Sequence, residues 1–162
     1  IKTKIKNKKS IGSDRVVNVI YAKKIYKLPI LVIDFGTATT IDYINKQSIY
    51  EGGIIAPGID ISLKSLNKFT AKLPLIKFSK TKSIIGDSTK KAITSGFYWG
   101  YILMIQGLIE KIIIEKKIRP KVILTGGNAI FFKKHIKNSF VDQFFTMKGL
   151  NFIYNEMEKK SE

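Results

Sequence analysis

The sequence predicts an α/β domain with a mixed sheet flanked by helices, on three observations. Short apolar runs at residues 30–33 and 121–124 each lead into a glycine-bearing loop, Asp34-Phe35-Gly36-Thr37 and Thr125-Gly126-Gly127. Between them, residues 40–44 and 49–55 alternate across a polar turn at Asn45-Lys46-Gln47, the pattern of an antiparallel meander. Helical segments follow the strands, the longest running from Asp87 or Ser88 toward Lys117.

Taken in order, residues 1–6 alternate as a strand would and end in the polar cluster Asn7-Lys8-Lys9-Ser10. Val17, Ile20, Tyr21 and Ile25 recur at helical spacing, which makes Ser13 or Asp14 the expected N-cap. Pro29 closes the connection to the first buried strand. After the meander, Ala56-Pro57-Gly58 breaks the pattern, and Ile59, Leu63 and Leu66 mark an amphipathic helix. Residues 73–78 are expected as a further strand, and Ser79 to Ser83 as a surface loop. The long helix carries Gly96, Gly100 and Gly107 beside Phe97, Tyr98, Trp99 and Tyr101. Each interior glycine costs a helix about 1 kcal/mol against alanine, so the spacing predicts a closely packed backbone there, from this chain or a second subunit. A helix is expected from Asn128 and an amphipathic one from Met147 to Lys159.

Composition narrows the function. The 162 residues suit one domain with a real core, and the absence of cysteine removes disulfides, cysteine zinc sites and thiol nucleophiles. The apolar stretches read as broken short of membrane-spanning length, and no signal peptide pattern opens the chain, so a cytoplasmic protein with no membrane partner is expected. The net charge is +17, yet only Arg15 and Arg119 are arginines and the lysines are scattered. That pattern fits attraction of anionic metabolites and predicts no specific nucleic-acid partner.

Three constellations carry chemistry. In Asp34-Phe35-Gly36-Thr37, a glycine at a strand end lets backbone amides approach a phosphate, Thr37 can donate to it, and Asp34 can hold an offsetting cation. The same residues would also make an ordinary turn with a surface aspartate. Gly12-Ser13-Asp14-Arg15 reads either as a helix cap with an ion pair, or as an arginine that anchors an anionic substrate beside an aspartate that accepts its proton. Gly126 and Gly127 allow a nucleotide's base or sugar to approach the backbone. His135, the only histidine, has no partner at metal-ligand or triad spacing and is expected on the surface.

The ordered set resembles the type III pantothenate kinases of the acetate and sugar kinase/Hsp70/actin superfamily. The resemblance runs through Gly12 to Asn18, Asp34 to Thr40, Gly52 to Gly58, Thr70 to Pro74, Ile85 to Thr89 with Ser95-Gly96, and Thr125 to Gly127. It implies a ribonuclease H-like, actin/Hsp70-type ATPase subdomain over residues 30–162, preceded at 1–29 by an opening strand, substrate loop and connecting helix. It implies ATP-dependent phosphorylation of pantothenate, the first step toward coenzyme A, with Mg2+ and a monovalent cation, potassium or ammonium.

Carried over by position, Asp14 matches the family's proton acceptor, and Gly12, Ser13 and Arg15 its pantothenate loop. Asp34 matches the monovalent-cation ligand, and Thr37, beside Gly36, an ATP contact. Thr89 matches a pantothenate contact that reaches the neighbouring subunit's site in a dimer. The family's Asp-x-Gly-Asn-Thr phosphate loop is not found in these residues, so the sequence is expected to be a C-terminal portion of such a kinase. A noncatalytic relative of the Bvg accessory factor type is the alternative expectation.

Overall fold

The computed structural model describes residues 1–159. Its centre is a five-stranded sheet in the order β3-β2-β1-β4-β5. Here β1 is Ile30–Phe35, β2 Ala38–Ile44, β3 Tyr50–Pro57, β4 Lys121–Thr125 and β5 Ser139–Val141. The first three strands form the predicted antiparallel meander, while β4 and β5 run parallel to β1. Both faces of β1 are covered, which is why it reads as an unbroken apolar run. Leu31, Ile33 and Phe35 face one apolar cluster, and Ile30 and Val32 face another.

Helices α1 (Ser13–Ile25) and α5 (Phe145–Glu158) cover the Ile30/Val32 face. On the other face lie α2 (Ile59–Lys68), α3 (Thr89–Lys116) and the four-residue α4 (Ala129–Phe132). Residues 1–6 form no full strand: Thr3 makes a single bridge to Tyr50, beside β3. Residues 73–78 form no strand either, contrary to expectation. Pro74 has no amide to donate to a ladder, and the segment instead buries Ile76 and Phe78 under α3 and α4. Helix α1 starts one residue earlier than a side-chain cap requires. Gly12 is its N-cap, without a side-chain capping bond, so Ser13 and Asp14 belong to the first turn.

Helix α3 is capped by Ser88, whose side chain accepts from the Lys91 amide, and ends where Lys117 adopts φ 52°. The expectation that apolar stretches stop short of membrane-spanning length is corrected here. By length and composition α3 is long and apolar enough to cross a membrane, with a mean hydropathy of 1.3. In the fold, Ile93, Tyr98, Ile102 and Ile105 are buried against the sheet. The opposite side is open: a Cβ added at Gly96, Gly100 or Gly107 would meet nothing within 4 Å. Among the described residues, a backbone of this chain is therefore not what those glycines accommodate. His135 is also corrected, being half-buried with its Nε2 2.8 Å from the Tyr98 hydroxyl.

Candidate functional site

The site follows from how β1 and β4 end. Their parallel register pairs Asp34 with Thr125, so the two glycine-bearing loops leave the sheet side by side. Gly126 has φ +87°, and a Cβ on it would lie 2.6 Å from Asp34 Oδ1 and 2.7 Å from the Phe35 carbonyl. Only glycine closes that junction without strain. On the other side, the Gly58 amide donates to the Thr37 carbonyl at 3.0 Å, and a Cβ there would lie 2.2 Å from the same oxygen. The Gly36-Thr37 turn is thus held between the starts of α2 and the β4 loop.

Two clefts meet at this turn. One, of about 730 Å³, is lined by Gly12, Ser13, Asp14 and Arg15 from the start of α1, by Asp34, Gly36 and Thr37, and by Ala56, Pro57 and Ile61. The second, of about 610 Å³, is lined by Gly36 and Thr37 again, with Asp60, Lys64, Gly127 and Asn128. Gly36 and Thr37, with Ile61 of α2, form the wall common to both. The structure therefore brings together Gly12, Ser13, Asp14, Arg15, Asp34, Gly36 and Thr37 around one cleft, with Gly127 at the second. Gly126 packs behind Asp34. Thr89, exposed at the start of α3, is in neither lining.

The carboxylates in and behind the cleft are held differently. Asp34, at the end of β1, accepts one long bond from Asn18 Nδ2 at 3.4 Å on Oδ2. Burial raises its pKa; the Asn18 bond pulls it back, the charges of Asp14 and Asp42 push it up, and Thr146 lowers it again. Asp34 Oδ1 sits between Gly36 and Gly126 with no hydrogen-bond partner among the described residues. A half-buried carboxylate with one free oxygen in a glycine-lined recess suits a cation with oxygen ligands.

Arg15 behaves otherwise. Its Nε and Nη2 donate to Asp42 Oδ1 at 2.9 and 2.7 Å, and Nη2 also donates to the Tyr50 hydroxyl at 2.6 Å. Tyr50 in turn donates to the same Asp42 oxygen at 2.5 Å. Asp42 and Tyr50 are fully buried. Burial alone would lower the Arg15 pKa, but the bond to Asp42 and its charge outweigh it and leave the guanidinium raised. The Tyr50 hydroxyl is pushed up by burial and then by Asp42. These bonds leave Nη1 as the part of the fork not committed to Asp42 and Tyr50.

Sequence reading singled out neither Asp42, Tyr50 nor Thr146, and gave Asn18 no role of its own. Strand alternation was the available signal for Asp42, since it lies two residues from Thr40 on the same face of β2. Nothing local pointed to Thr146.

A sheet of order 3-2-1-4-5 whose first and fourth strands deliver glycine loops to one cleft is the ATPase subdomain architecture of the acetate and sugar kinase/Hsp70/actin superfamily. Comparison narrows the class. A sequence profile of the type III pantothenate kinase family matches residues 1–111. A type III pantothenate kinase from Persephonella marina (strain DSM 14350 / EX-H1) is 42% identical over 156 residues, covering 96% of this chain and 61% of the relative. A crystal structure described as a conserved Baf family transcriptional activator from Campylobacter jejuni matches 98% of this chain and 70% of its own, with a TM-score of 0.67 and 25% identity. The chain belongs to the type III pantothenate kinase family.

Proposed function

We propose that this chain carries the acceptor site and one wall of the phosphate site of an ATP-dependent pantothenate kinase. The observation that supports this most is the common wall: Gly36 and Thr37 separate a cleft holding Asp14 from one lined by Gly127, Asn128 and Lys64. A donor in the second cleft and an acceptor hydroxyl in the first would meet at that turn. In this reading residues 1–29 supply the acceptor loop and residues 30–162 the phosphate loops.

Asp14 lies in the first turn of α1 with the Ser13 hydroxyl 3.5 Å from its Oδ1, and no capping bond consumes it. A carboxylate is too weak a base to ionise a primary alcohol outright. Asp14 instead orients the hydroxyl and takes its proton as the oxygen–phosphorus bond forms and ADP departs. Gly12, Ser13 and Arg15 shape the acceptor cleft, and Thr37 and the amides of the turn donate to phosphate oxygens. Asp34 would hold the monovalent cation, potassium or ammonium, through its free oxygen. That ion, with Mg2+ on ATP, would neutralise phosphate charge. A second copy of the chain on the open glycine face of α3 would bring Thr89 to the partner's acceptor cleft, and the cytoplasm is the compartment this chemistry suits.

The Campylobacter structure's description favours a second reading, a noncatalytic binding or regulatory module. One experiment separates them: mass-spectrometric detection of 4'-phosphopantothenate from the folded chain with pantothenate, ATP and Mg2+, in potassium and in sodium. Potassium-dependent product that Asp14→Asn abolishes, with pantothenate still bound, supports the kinase. No product from a folded sample that binds neither pantothenate nor ATP supports the module.

A further inference from the structure

Asn18 is almost completely buried on α1, at 1% exposure, and both ends of its amide are used. Thr146, on α5, donates from Oγ1 to Asn18 Oδ1 at 2.8 Å, while Asn18 Nδ2 faces Asp34 Oδ2. A carboxylate only accepts, so the nitrogen of the amide must be the end that meets Asp34. The hydroxyl then satisfies the oxygen left on the far side. Thr146 and Asn18 are 128 residues apart, and the docking of α5 on α1 is what joins them. Gly149 allows that docking, since a Cβ there would lie 2.7 Å from Val17 Cγ1. Phe145, next to Thr146, is fully buried with its ring 4.9 Å from Tyr21. The first turn of α5 is therefore fixed where Thr146 can reach.

We propose that Thr146 and Asn18 are positioning residues that tie down Asp34 Oδ2 and so present Asp34 Oδ1, alone, to a monovalent cation in the glycine-lined recess. The proposal rests on the reading of Asp34 as the cation's ligand. It adds that a residue of the last helix, far outside the stretch matched by the family profile, determines how well the ion is held. Without the hydroxyl, the Asn18 oxygen is buried with no partner and its amide loses the contact that sets its rotation. Asp34 then turns within its recess. Partners of this kind typically change metal affinity by about 10–100-fold when removed, although they never touch the ion.

The test uses the isotope-labelled full chain at one neutral pH. Three sets of NMR signals are followed: the Asn18 side-chain amide, the Asp34 carboxyl carbon, and the Gly36 and Gly126 backbone amides. Potassium chloride is titrated against sodium chloride as the control. In the unsubstituted chain, potassium should move the Asp34 and glycine signals. Thr146→Val should displace the Asn18 and Asp34 signals and raise the potassium needed about tenfold. Thr146→Ser, which keeps the hydroxyl, should restore both. Thr146→Ala is the second variant if valine disturbs the helix contact.

Asn18 and Asp34 signals that stay at their original positions in folded Thr146→Val and Thr146→Ala would overturn the proposal, as would failure of serine to restore them. If potassium moves nothing in the unsubstituted chain while the substitutions still displace Asn18 and Asp34 and serine restores them, the cation reading fails and the positioning of the carboxylate stands.

Discussion

Asp34 and Asp42 lie on neighbouring antiparallel strands and point to the same side of the sheet. Val32 pairs with Asp42 and Asp34 with Thr40, so both carboxylates lie beneath α1. One helix face serves them both: Arg15 reaches Asp42 and Asn18, three residues on, reaches Asp34. Asp42 is shut in: Arg15 Nε and Nη2 and the Tyr50 hydroxyl all donate to Oδ1 at 2.5–2.9 Å, and Oδ2 is buried with no hydrogen-bond partner among the described residues. Asp34 has a single 3.4 Å bond and an oxygen left open. The same residue type, two Cα pairs apart on one sheet face, is thus used once to lock the start of α1 and once to turn an oxygen toward a cleft. The difference lies in what each is given, not in what each is.

Removing Asp42 should have the largest effect. Asp42→Ala leaves the Arg15 guanidinium, whose side chain is 15% exposed, without its counter-charge, and should lower stability by about 3–5 kcal/mol. Urea denaturation measures it. A change below about 1 kcal/mol would show that the buried pair contributes little and that Asp42 is not the lock.

The two aspartates also each rest against a glycine. A Cβ on Gly53 would lie 2.1 Å from the Ile41 carbonyl, 2.7 Å from Arg15 Nη2 and 2.8 Å from Asp42 Oδ1. At Gly126 it would lie 2.6 Å from Asp34 Oδ1, in a backbone conformation with positive φ. Gly53→Ala and Gly126→Ala should each cost about 1–3 kcal/mol by overpacking. They should differ in function: the first loosens the start of α1, read by amide exchange at residues 13–16, and the second displaces Asp34, read by loss of the potassium response. If both variants lose the same property, the division between lock and site is wrong.

Legibility in the sequence tracks how local each feature is. The meander was readable because alternation and a polar turn act within about fifteen residues of chain. The Gly36-Thr37 turn was readable because Asp, Gly and Thr follow a strand directly, and the α1 start because Gly12 to Arg15 are contiguous. Strand β5 is three residues long, too short for a period to show. Residues 73–78 have strand-like composition apart from Pro74, and no neighbouring strand pairs with them. The Arg15–Asp42 pair spans 27 residues and the Thr146–Asn18 pair 128, so neither leaves a local trace. The glycines of α3 predicted a closely packed backbone, and among the described residues the chain supplies none.

Asp34→Asn should move stability the other way. The raised pKa means that the fold disfavours the charged carboxylate, through burial and then through Asp14 and Asp42. Removing that charge should stabilise the protein at neutral pH while abolishing the potassium response. A destabilised variant would mean that Asp34 is held more like Asp42 than the geometry indicates.

Glu51 gives the smallest effect and a third way of keeping a carboxylate. It stands next to Tyr50 on β3, and Lys4, Asn45 and Lys116 all bond to it, at 3.0, 2.7 and 3.0 Å. Its pKa is lowered to about 2, chiefly by the Lys4 bond against the opposing effect of burial. A depressed carboxylate stabilises the fold above its ordinary value of 4.5, and that contribution is lost as pH falls from there toward 2. Lys4 is exposed, so the whole effect should be no more than about 1 kcal/mol and should shrink in salt. It should appear locally, because Lys4 also donates its amide to the Tyr50 carbonyl at 3.1 Å. Exchange at the Lys4 amide should accelerate, relative to the sheet amides, between pH 4.5 and 2. In Glu51→Gln that acid dependence should vanish and the amide should exchange faster throughout. An unchanged acid dependence in the variant would assign the loosening to another carboxylate, and the contrast would rest on Asp34 and Asp42 alone.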